Sequence, residues 1–534
     1  MRVCYYISIL LILSIFTACE KEKPLETSEP VVQILNYDGA RLVQESGKEV
    51  IIDFLAQSVL GIKTLRINRN GEIFLDTVLQ NQPLSFEYSM SYIIPGGLQD
   101  GELIEFQMQI TDNADREAAS DVFTIEVGKP FEIDEIELNG FQFRRLKGRL
   151  NEDLTMEANT RWLIDSIVFL EDGAVLTVEP GSTIYFRTSD DINFGSALIV
   201  NRNSKLIASG TRDQPIVFTS DRVLSGNPAI GDWGGIVLLG NAPSNQGTIV
   251  VEDGWRYGGT QPADNSGVLR FVRIEYSGKL EYHGLHLFGT GSGTLIEYVE
   301  VYENLNIAFR VKGGRTHLKY IAAINHGGYA IWAEHGWQGN GQFWLFQTSI
   351  PATLIPVNFW NQARSIEMRN DVNFFERAPR TMFRLSNITM IGNGNNGNLS
   401  DGTRRGVRIR RGAIGELQNM IITEFPGDGI RVEDLPLEVL GAQMKLDNTR
   451  VYSNLINWEQ EAKSFFFESG QFNLLETPVS GVNKDEFAGT VPSSFNPQSW
   501  GPWFSPAAYI GAVDPGSDWT KGGTWFKDIN GNFR

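Results

Sequence analysis

Short runs that alternate apolar and polar residues fill the sequence between residues 31 and 128. Six runs stand out: VVQILN, EVIIDFLAQS, IKTLRINRNGEIF, LSFEYSMSY, LIEFQMQIT and VFTIEV. A period of two turns one side of each run towards a core and the other towards solvent, which is typical of β-strands. The Asn-Gly pair in IKTLRINRNGEIF predicts a tight hairpin. Six or seven strands in about a hundred residues predict an immunoglobulin-like β-sandwich over residues 31–128.

A different pattern begins after residue 128, where short apolar runs recur within an internal repeat. Residues 166–189, SIVFLEDGAVLTVEPGSTIYFRTS, align with residues 196–220, SALIVNRNSKLIASGTRDQPIVFTS. Three apolar positions correspond in the two copies, with Ile167, Val175 and Ile184 matching Leu198, Leu206 and Ile216. Three strands per unit that cannot bury their own apolar side must stack on neighbouring units. The repeat therefore predicts a parallel β-helix, and the general preference of parallel crossovers predicts a right-handed one.

Further strand-like units continue to about residue 434, so the β-helix is expected over residues 129–440. The remaining residues, 441–534, are less periodic and rich in Trp and Phe, and they predict a region that caps the last exposed edge. Within the helix, the stretch GDWGGIVLLGN at residues 231–241 lacks the glycine spacing of a dinucleotide loop. We expect its glycines at corners and Trp233 in a packing role; a ligand loop is the alternative.

Composition supports an all-β protein and narrows the class of partner. Of the 534 residues 42% are hydrophobic and 11% aromatic, which suffices for a core, and 55 are Gly, which suits many turns. The formal net charge is −18. Such a field repels nucleic acid and anionic membrane surfaces, although local basic patches remain possible.

The first residues read as an export signal. MRVCYYISILLILSIFTACEKEK has a positive start and an apolar stretch too short to span a bilayer. The residues Thr17 and Ala18 before Cys19 resemble the lipobox of bacterial lipoproteins, which implies a signal peptide over 1–18, lipidation of Cys19 and a tether over 19–30. A cleaved signal with an incidental Cys is the alternative. Cys19 is the only thiol after the signal, so the mature chain has no disulfide.

Several segments together resemble one known group of proteins. They are GSALIVNRNSKLIASGTRDQPIVFTS, GDWGGIVLLGNAPSNQG, RYGGTQPADNSGVLRFVRIEYSG and YIGAVDPGSDWTKGG, within residues 137–530. These resemble a family of surface lipoproteins of Bacteroidota with a β-helix domain, whose members have no established reaction. The resemblance implies a lipid-anchored protein of the outer membrane that faces the exterior. This chain departs from the Asp-rich strands of that family, since residues 303–314 read ENLNIAFRVKGG and residues 325–336 read NHGGYAIWAEHG.

Two features are candidates for a ligand or partner site. In GGYAIWAEHGWQGNGQFWLFQ, Trp344 and Phe346 share one side of a strand, and Trp337 lies in the preceding turn. They predict an aromatic platform for sugar rings or a partner protein, unless another segment covers this strand. In GTRRGVRIRRG, Arg408 and Arg410 project from one side of a strand close to Arg405.

The arginines stand out by local charge. Residues 361–431 hold eleven Arg, no Lys and seven acidic residues. Guanidinium groups suit carboxylate, sulfate and phosphate, and they equally suit ion pairs with acidic residues on adjacent coils. Both interpretations stay open. A single binding site that joins the aromatic and the basic residues is one hypothesis.

Metal sites are weakly indicated. The segment TDNADRE could bind calcium through the side chains of Asp112, Asn113, Asp115 and Glu117. A polar hairpin turn is the favoured interpretation. The five histidines have no spacing typical of zinc, and His286 is expected on the surface. No cofactor is therefore expected.

An enzyme is the remaining alternative, because β-helices often degrade acidic polysaccharides. The fragments Asp190-Asp191, His283-Gly284 and Arg408-Ile409-Arg410 superficially resemble polygalacturonase motifs. At 25 to 30 residues per coil, each gap between them corresponds to about 15 to 20 Å, too far for one catalytic centre. The sequence thus favours a surface lipoprotein without catalysis, either a glycan binder or a subunit of an outer-membrane protein complex, with a lyase or glycosidase as the alternative.

Overall fold

The computed structural model describes residues 29–534 except 36, 38–40, 190–194, 253–254, 280, 350–363, 395–404 and 437. Contacts between Cα atoms divide the chain into two units, Met1–Gly128 and Lys129–Arg534. The predicted signal peptide, Cys19 and nearly all of the tether lie outside the described residues.

The first unit is a β-sandwich. Its strands are β1 (Val31–Ile34), β2 (Arg41–Gln44), β3 (Glu49–Gln57), β4 (Ile62–Arg69), β5 (Glu72–Val78), β6 (Ser85–Ile93), β7 (Leu103–Asp112), β8 (Glu117–Ala119) and β9 (Phe123–Val127). One sheet has the order β1-β3-β6; the other has the order β2-β9-β7-β4-β5, with β8 beside β7. The alternation in β3 buries Ile52 and Phe54 completely. Asn70 and Gly71 both have positive φ, as the predicted hairpin between β4 and β5 requires.

The second unit is a parallel β-helix, which confirms the predicted fold class. Its strands up to the middle of the coil stack are β10 (Phe131–Leu138), β11 (Phe141–Leu150), β12 (Leu154–Met156), β13 (Trp162–Leu170), β14 (Val175–Val178), β15 (Thr183–Phe186), β16 (Ala197–Val200), β17 (Lys205–Ser209), β18 (Ile216–Ser220), β19 (Ile236–Leu239), β20 (Val250–Glu252), β21 (Trp255–Tyr257), β22 (Gly267–Glu275), β23 (Leu285–Phe288), β24 (Leu295–Asn304), β25 (Phe309–Lys312) and β26 (His317–His326).

The later strands are β27 (Ile331–Glu334), β28 (Asn340–Gln347), β29 (Arg364–Arg369), β30 (Met382–Ile391), β31 (Arg405–Arg410), β32 (Ile414–Thr423), β33 (Asp428–Val432), β34 (Met444–Asp447), β35 (Thr449–Tyr452), β36 (Ile456–Trp458), β37 (Leu474–Leu475), β38 (Val491–Pro492) and β39 (Tyr509–Ile510). Short helical turns lie at Asp221–Ser225, Gln460–Ala462, Lys463–Phe467 and Pro497–Trp500.

Parallel pairing arranges these strands in three faces. Face 1 contains β16, β19, β23, β25, β27, β29, β31, β33 and β36. Face 2 contains β14, β17, the first halves of β22, β24, β26, β28, β30 and β32, and β34. Face 3 contains β15, β18, the second halves of the same six strands, and β35.

In the six coils from β22 to β32, faces 2 and 3 share one strand because one residue with positive φ bends that strand. The bend residues are Phe271, Tyr298, Tyr320, Phe343, Asn387 and Asn419, with φ between 48° and 60°. The register skips each of them, so their side chains stack outside the coil. We call these six residues the bend ladder.

The residues of GDWGG belong to the scaffold. Trp233 is fully buried, stacks on Phe186 with ring centroids 3.7 Å apart, and donates through Nε1 to the carbonyl of Glu275 at 2.7 Å. A Cβ atom on Gly235 would lie 1.8 Å from the backbone oxygen of His283, so only glycine fits there. This packing agrees with the scaffold interpretation and leaves no place for a ligand around Trp233.

The end of the chain differs from the expected cap. The core of the coil is closed by the helical turn that contains Ala462 and Phe466, and the last strand pairing is that of β37. The residues after β37, which we call the C-terminal segment, do not stack on this end. They run back along the outside of face 3, where Trp519, Trp525 and Phe526 pack. The prediction that 441–534 caps the end is thus wrong for most of this region, because the apolar outer side of face 3 offers it a larger surface.

Candidate functional site

The outward side chains of face 1 are aligned in register across successive coils. One row contains His286, Arg310, Trp332, Glu367, Arg408 and Arg431. Beside it, Phe288, Lys312 and Glu334 are in register on three coils, as are Arg369 and Arg410 on two. We call these side chains the face 1 rows. Their register follows from the inward apolar residues between them, such as Ile331 and Ile366, which stack in the core.

Ion pairs link neighbouring coils within the face 1 rows. Glu334 accepts hydrogen bonds from both Arg310 and Arg369. Arg410 Nε lies 2.5 Å from Glu367 Oε1, and Arg408 Nε donates to Glu433 Oε2 at 2.7 Å. These pairs agree with the interpretation of the arginines as partners of acidic residues on adjacent coils.

Electrostatics in the buried part of the rows follows from these pairs. Burial by itself would raise the pKa of Glu334, but the guanidinium groups of Arg310 and Arg369 hold it well below its usual range. Burial lowers the pKa of Arg364 and of Arg405, at the starts of β29 and β31. These two cations are thus held where water solvates them poorly.

The basic side chains of this face outnumber the acidic ones. We count the charged side chains from β25 to Glu433, which directly follows β33. Eight basic and four acidic side chains lie in the face 1 rows or at the ends of their strands. They are Arg310, Lys312, Arg364, Arg369, Arg405, Arg408, Arg410 and Arg431 against Glu334, Glu367, Asp428 and Glu433. In a protein of net charge −18, this face therefore carries a local positive excess.

Trp332 lies between two arginines. The guanidinium carbons of Arg310 and Arg369 lie 4.1 Å and 4.3 Å from its ring centroid. The two arginines come from the coils before and after Trp332, so they cover the ring. Trp332 therefore cannot serve as a stacking platform for a sugar, and only its edge remains for another group.

A cavity of about 190 Å³ opens on the first coils of the rows. Its walls include His283, His286, Arg310, Lys312, Tyr329 and Trp332, with Glu281 and Asn306 among the remaining residues. We call it the face 1 pocket. The rings of His283 and His286 stack with centroids 4.6 Å apart, and burial lowers the pKa of both imidazoles well below its usual value. Both are therefore neutral at physiological pH.

His286 is not the surface residue that the sequence suggested. Its side chain points outward from β23, but only 1% of it is exposed. The antiparallel hairpin of β20 and β21 explains this burial, because Trp255 packs on His286 with ring centroids 5.0 Å apart. The hairpin also covers Val237 and Leu239 on the neighbouring coil.

The predicted aromatic platform is wrong. Trp337, Trp344 and Phe346 are fully buried in the core of the coil, where they have no access to a ligand. Trp344 donates through Nε1 to the carbonyl of Leu318 at 2.9 Å. Trp337 donates in the same way to the carbonyl of Thr316 at 3.1 Å. The opposite side of β28 is also covered, since Phe343 and Leu345 pack under the C-terminal segment.

The three predicted arginines do reach one face, without the predicted aromatics. Arg405, Arg408 and Arg410 belong to β31, and their side chains are 23%, 14% and 11% exposed. Trp344 lies inside the coil, so the single site that joined it to Arg408 does not exist. The aromatic side chain in register with Arg408 is Trp332, two coils earlier, which the sequence interpretation missed.

The candidate calcium ligands are used within the sandwich. Asp112 is fully buried and accepts hydrogen bonds from Ser58, Ala114 and Arg116, including Arg116 Nη2 at 2.7 Å. Lys63 Nζ lies 2.7 Å from Asp115 Oδ1, and Glu117 is exposed on β8. Arg116 and Lys63 are thus the partners of Asp112 and Asp115, which agrees with the interpretation as a polar turn, and Glu117 follows this turn on β8. Across the described part of the chain, no three His, Cys, Asp or Glu side chains are grouped to hold a metal ion.

The fragments that resemble polygalacturonase motifs do not converge. His286 and Arg408 occupy the same row four coils apart, which corresponds to about 19 Å at 4.8 Å per step. Asp190 and Asp191 lie outside the described residues. No single acid–base centre can include both His283 and Arg408 at such a separation.

Comparison with known families identifies the family of the β-helix unit. Residues 148–486, more than half of the chain, match the family described as pectate-lyase like beta helix domain. The chain belongs to this family. No curated protein matches the chain. Membership of the pectate-lyase-like β-helix family describes a fold on which different functions are built, and the site of each member has to be argued from its own residues.

Two solved structures are similar to parts of the chain, each with a low TM-score. Fibronectin(III)-like modules of Clostridium thermocellum CbhA share 18% identity over 18% of this chain and 46% of theirs, with a TM-score of 0.14. This chain thus spans less than half the length of the CbhA chain that it matches. Pectate lyase Pel3 from Pectobacterium carotovorum shares 9% identity over 66% of this chain and 89% of its own, with a TM-score of 0.12. In the described part of the chain, no helix is long and apolar enough to cross a bilayer.

Proposed function

We propose that this protein is a cell-surface lipoprotein of the outer membrane whose β-helix binds an acidic glycan without cleaving it. The observation that carries the proposal is the charge of the face 1 rows and of the strand ends beside them, where eight basic side chains stand against four acidic ones in an acidic protein. Parallel stacking sets Arg369 beside Arg410, and Arg408 beside Arg431, at steps of about 4.8 Å on adjacent coils, which suits a polymer with repeated anionic groups.

The chemistry of the rows favours an anionic ligand over a neutral one. Neutral sugars are commonly held by an open aromatic ring, and the ring of Trp332 is covered by Arg310 and Arg369. Arginine forks remain on the later coils, where the side chains of Arg408 and Arg431 are 14% and 32% exposed. A carboxylate or sulfate could share these guanidinium groups with Glu433, which is their present partner.

Binding assays with a matched charge control test this proposal. The double variant Arg408→Gln, Arg431→Gln should reduce retention on an immobilised polyuronate at least about tenfold and flatten the salt dependence of binding. The control Arg384→Gln, Lys445→Gln removes the same charge from face 2 of nearby coils, where the two positions flank Glu416 in register. It should bind as the wild type does. Equal loss in both variants would show that net charge alone drives retention and would contradict a site on face 1.

The anchor is a separate part of the proposal. Cys19→Ala should release the protein from the membrane fraction, because Cys19 is the proposed acceptor of the lipid. Cys4→Ala provides the control, since Cys4 lies within the proposed signal peptide. Membrane fractionation and protease accessibility on intact cells measure attachment and exposure. Attachment that persists in Cys19→Ala would refute the lipid anchor while leaving the glycan site untouched.

A second candidate function is that of a subunit in an outer-membrane protein complex. The turn after β29 exposes three apolar side chains, Val372, Phe374 and Phe375, by 49%, 59% and 38%. Exposed apolar clusters often contact proteins. The triple variant Val372→Ser, Phe374→Ser, Phe375→Ser should lose co-purifying proteins from mildly solubilised membranes if this function holds, and should leave polyuronate binding unchanged.

A lyase is the catalytic alternative, and the face 1 pocket is the observation that favours it. Elimination from a uronate needs a cation beside the carboxylate and a base that takes the neighbouring proton and then returns it to the departing oxygen. Arg310 and Lys312 could supply the first and the neutral imidazole of His283 the second. Unsaturated products from a polyuronate, lost in His283→Ala, would establish this activity and refute the proposal of binding without cleavage.

A further inference from the structure

We infer that the face 1 pocket binds the oxyanion of one terminal acidic sugar, a carboxylate or a sulfate, through unpaired N–H and O–H donors in its wall. The inference deepens the proposed function and rests on it for the identity of the ligand as a glycan. The face 1 rows would then hold the length of the polymer, and the pocket would recognise its end.

The tautomer of His286 supplies the first donor. The backbone N–H of His283 donates to Nε2 of His286 at 2.8 Å, so this nitrogen carries no proton. The imidazole is neutral because burial lowers its pKa, so its single proton lies on Nδ1. Within the described residues, Nδ1 of His286 has no hydrogen-bond partner, although the side chain is only 1% exposed.

Two further donors of the pocket are in the same situation. The hydroxyl of Tyr329 and Nε1 of Trp332 are buried atoms with no hydrogen-bond partner in the described part of the protein. Tyr329 is 5% exposed, and both residues line the face 1 pocket. An unpaired buried donor costs stability, and three such donors belong to residues that line one small pocket, which is why we infer an acceptor from outside the chain.

The charges of the pocket specify the kind of acceptor. Arg310 and Lys312 line it and are 5% and 3% exposed, whereas the acidic Glu281 at the pocket is exposed to solvent. Arg310 also pairs with Glu334, so the cations and the three neutral donors together give the wall more donors than acceptors. Hydrogen bonds from neutral donors to an anion are about twice as strong as those to a neutral acceptor. An oxyanion satisfies several donors at once because each of its oxygens accepts more than one hydrogen bond.

The size of the pocket limits the ligand to one unit. A volume of about 190 Å³ is below the roughly 300–1,000 Å³ of pockets for drug-sized ligands. One sugar ring or its acidic substituent fits such a space, whereas several consecutive units do not. The end of a glycan is therefore the ligand that suits it.

Calorimetry of the full mature chain with small probes tests the inference. Sodium glucuronate should bind to the wild type, and glucose, which has the same ring without the carboxylate, should not. Tyr329→Phe and Trp332→Phe each remove one donor and keep the ring, so each should weaken glucuronate binding about tenfold or more. Inorganic sulfate that competes with glucuronate would assign the pocket to oxyanions in general, and sulfate that does not compete would assign it to carboxylates.

The controls separate this inference from the proposed function. Tyr282→Phe removes a hydroxyl near the same pocket from a side chain that does not line it, and it should leave glucuronate binding unchanged. Thermal unfolding of each variant checks that it folds. The inference is overturned if glucuronate does not bind, or if neither Tyr329→Phe nor Trp332→Phe weakens it. Polyuronate binding that still depends on Arg408 and Arg431 would in that case leave the proposed function standing.

Discussion

Tyr298 and Tyr320 stack on adjacent coils with ring centroids 4.3 Å apart and an angle of 8° between the rings. Phe271 and Phe343 extend this stack on either side, at 4.4 Å and 4.7 Å from their neighbours. All four residues bend the strand between faces 2 and 3 with positive φ, a conformation that is unfavourable for bulky side chains. Stacking of equivalent side chains therefore offsets a strain that recurs on these four coils.

The C-terminal segment covers this stack and contributes to its stability. Trp525 meets Phe271 and Tyr298 edge-on at 5.8 Å and 5.7 Å, and Trp519 meets Tyr320 at 5.6 Å. On the later coils the bend ladder continues as asparagines, and Asn387 donates to the carbonyl of Tyr509 at 2.7 Å. The segment thus binds aromatic side chains at one end of the bend ladder and amide groups at the other.

The first prediction concerns Trp525. Trp525→Ala should lower the free energy of unfolding by about 3–5 kcal/mol, the usual cost of truncating a fully buried aromatic side chain. Phe533→Ala, a truncation of a half-exposed ring in the same segment, should cost less than about 1 kcal/mol. Chemical unfolding followed by tryptophan fluorescence measures both. Equal effects would contradict a stabilising role for the contact with the bend ladder.

Four ionisable side chains, Lys527 of this segment and three of face 3, meet where the segment packs. Lys527 Nζ lies 2.7 Å from Glu275 Oε1, and Arg273 Nε lies 2.6 Å from the same oxygen. Glu300 is in the adjacent coil and accepts a hydrogen bond from the backbone N–H of Lys527 at 3.0 Å. Burial raises the pKa of Glu300 to about 8, against the attraction of Arg273 and Lys527.

The second prediction follows from the pKa of Glu300. The folded protein keeps this proton up to about pH 8, whereas the unfolded chain releases it near pH 4.5. Between these values the folded state binds more protons, so the contribution of Glu300 to stability falls as the pH rises, by at most about 1.4 kcal/mol per pH unit. Glu300→Gln should remove this dependence. Urea unfolding at pH 5, 7 and 9 tests it; parallel pH profiles of variant and wild type would contradict the assignment.

The third prediction concerns the polar turn of the sandwich. Burial would raise the pKa of Asp112, but its hydrogen bonds with Arg116 and the backbone outweigh this effect and lower it to about 2. Asp112 therefore stabilises the fold above the usual carboxyl pKa, and the stabilisation is lost as the pH falls through about 2. Asp112→Asn should lower the melting temperature at pH 7 and remove part of the acid sensitivity. Calcium or a chelator should leave the wild-type melting temperature unchanged. A higher melting temperature in calcium would instead support a calcium site at this turn.

The alternation of residues was sufficient to predict the sandwich and the β-helix, because a period of two and a repeated unit leave few other ways to bury the apolar side chains. The route of the C-terminal segment could not be predicted. A tail of this composition can cover any apolar surface within reach, and the apolar outer side of face 3 is visible only once the bend residues, such as Tyr320, are assigned.

The location of the site was predicted in part. Arg408 and Arg410 alternate with Val407 and Ile409, which placed them outside the coil correctly. In β28 both sides of the strand are apolar, so the alternation of residues does not show which side faces the core, and the burial of Trp344 could not be predicted. Trp332 went unnoticed because its alignment with Arg310 depends on the register between coils. Successive core positions of face 1 are 24, 22 and 35 residues apart, from Leu285 to Ile366, and such irregular spacing hides the register.

The last prediction separates core residues from residues of the face 1 rows. Trp344→Ala should cost about 3–5 kcal/mol of unfolding free energy, because the indole fills the core and its Nε1 pairs with the carbonyl of Leu318. Trp344→Phe is the milder variant that keeps most of the packing if the alanine variant does not fold. Affinity of either folded variant for polyuronate should equal that of the wild type, since the indole never reaches the surface. The double variant Arg408→Gln, Arg431→Gln should show the opposite pattern, with a large loss of affinity and a smaller loss of stability. Weakened binding in Trp344→Phe at unchanged stability would mean that the site includes face 3, and face 1 would no longer be sufficient for recognition.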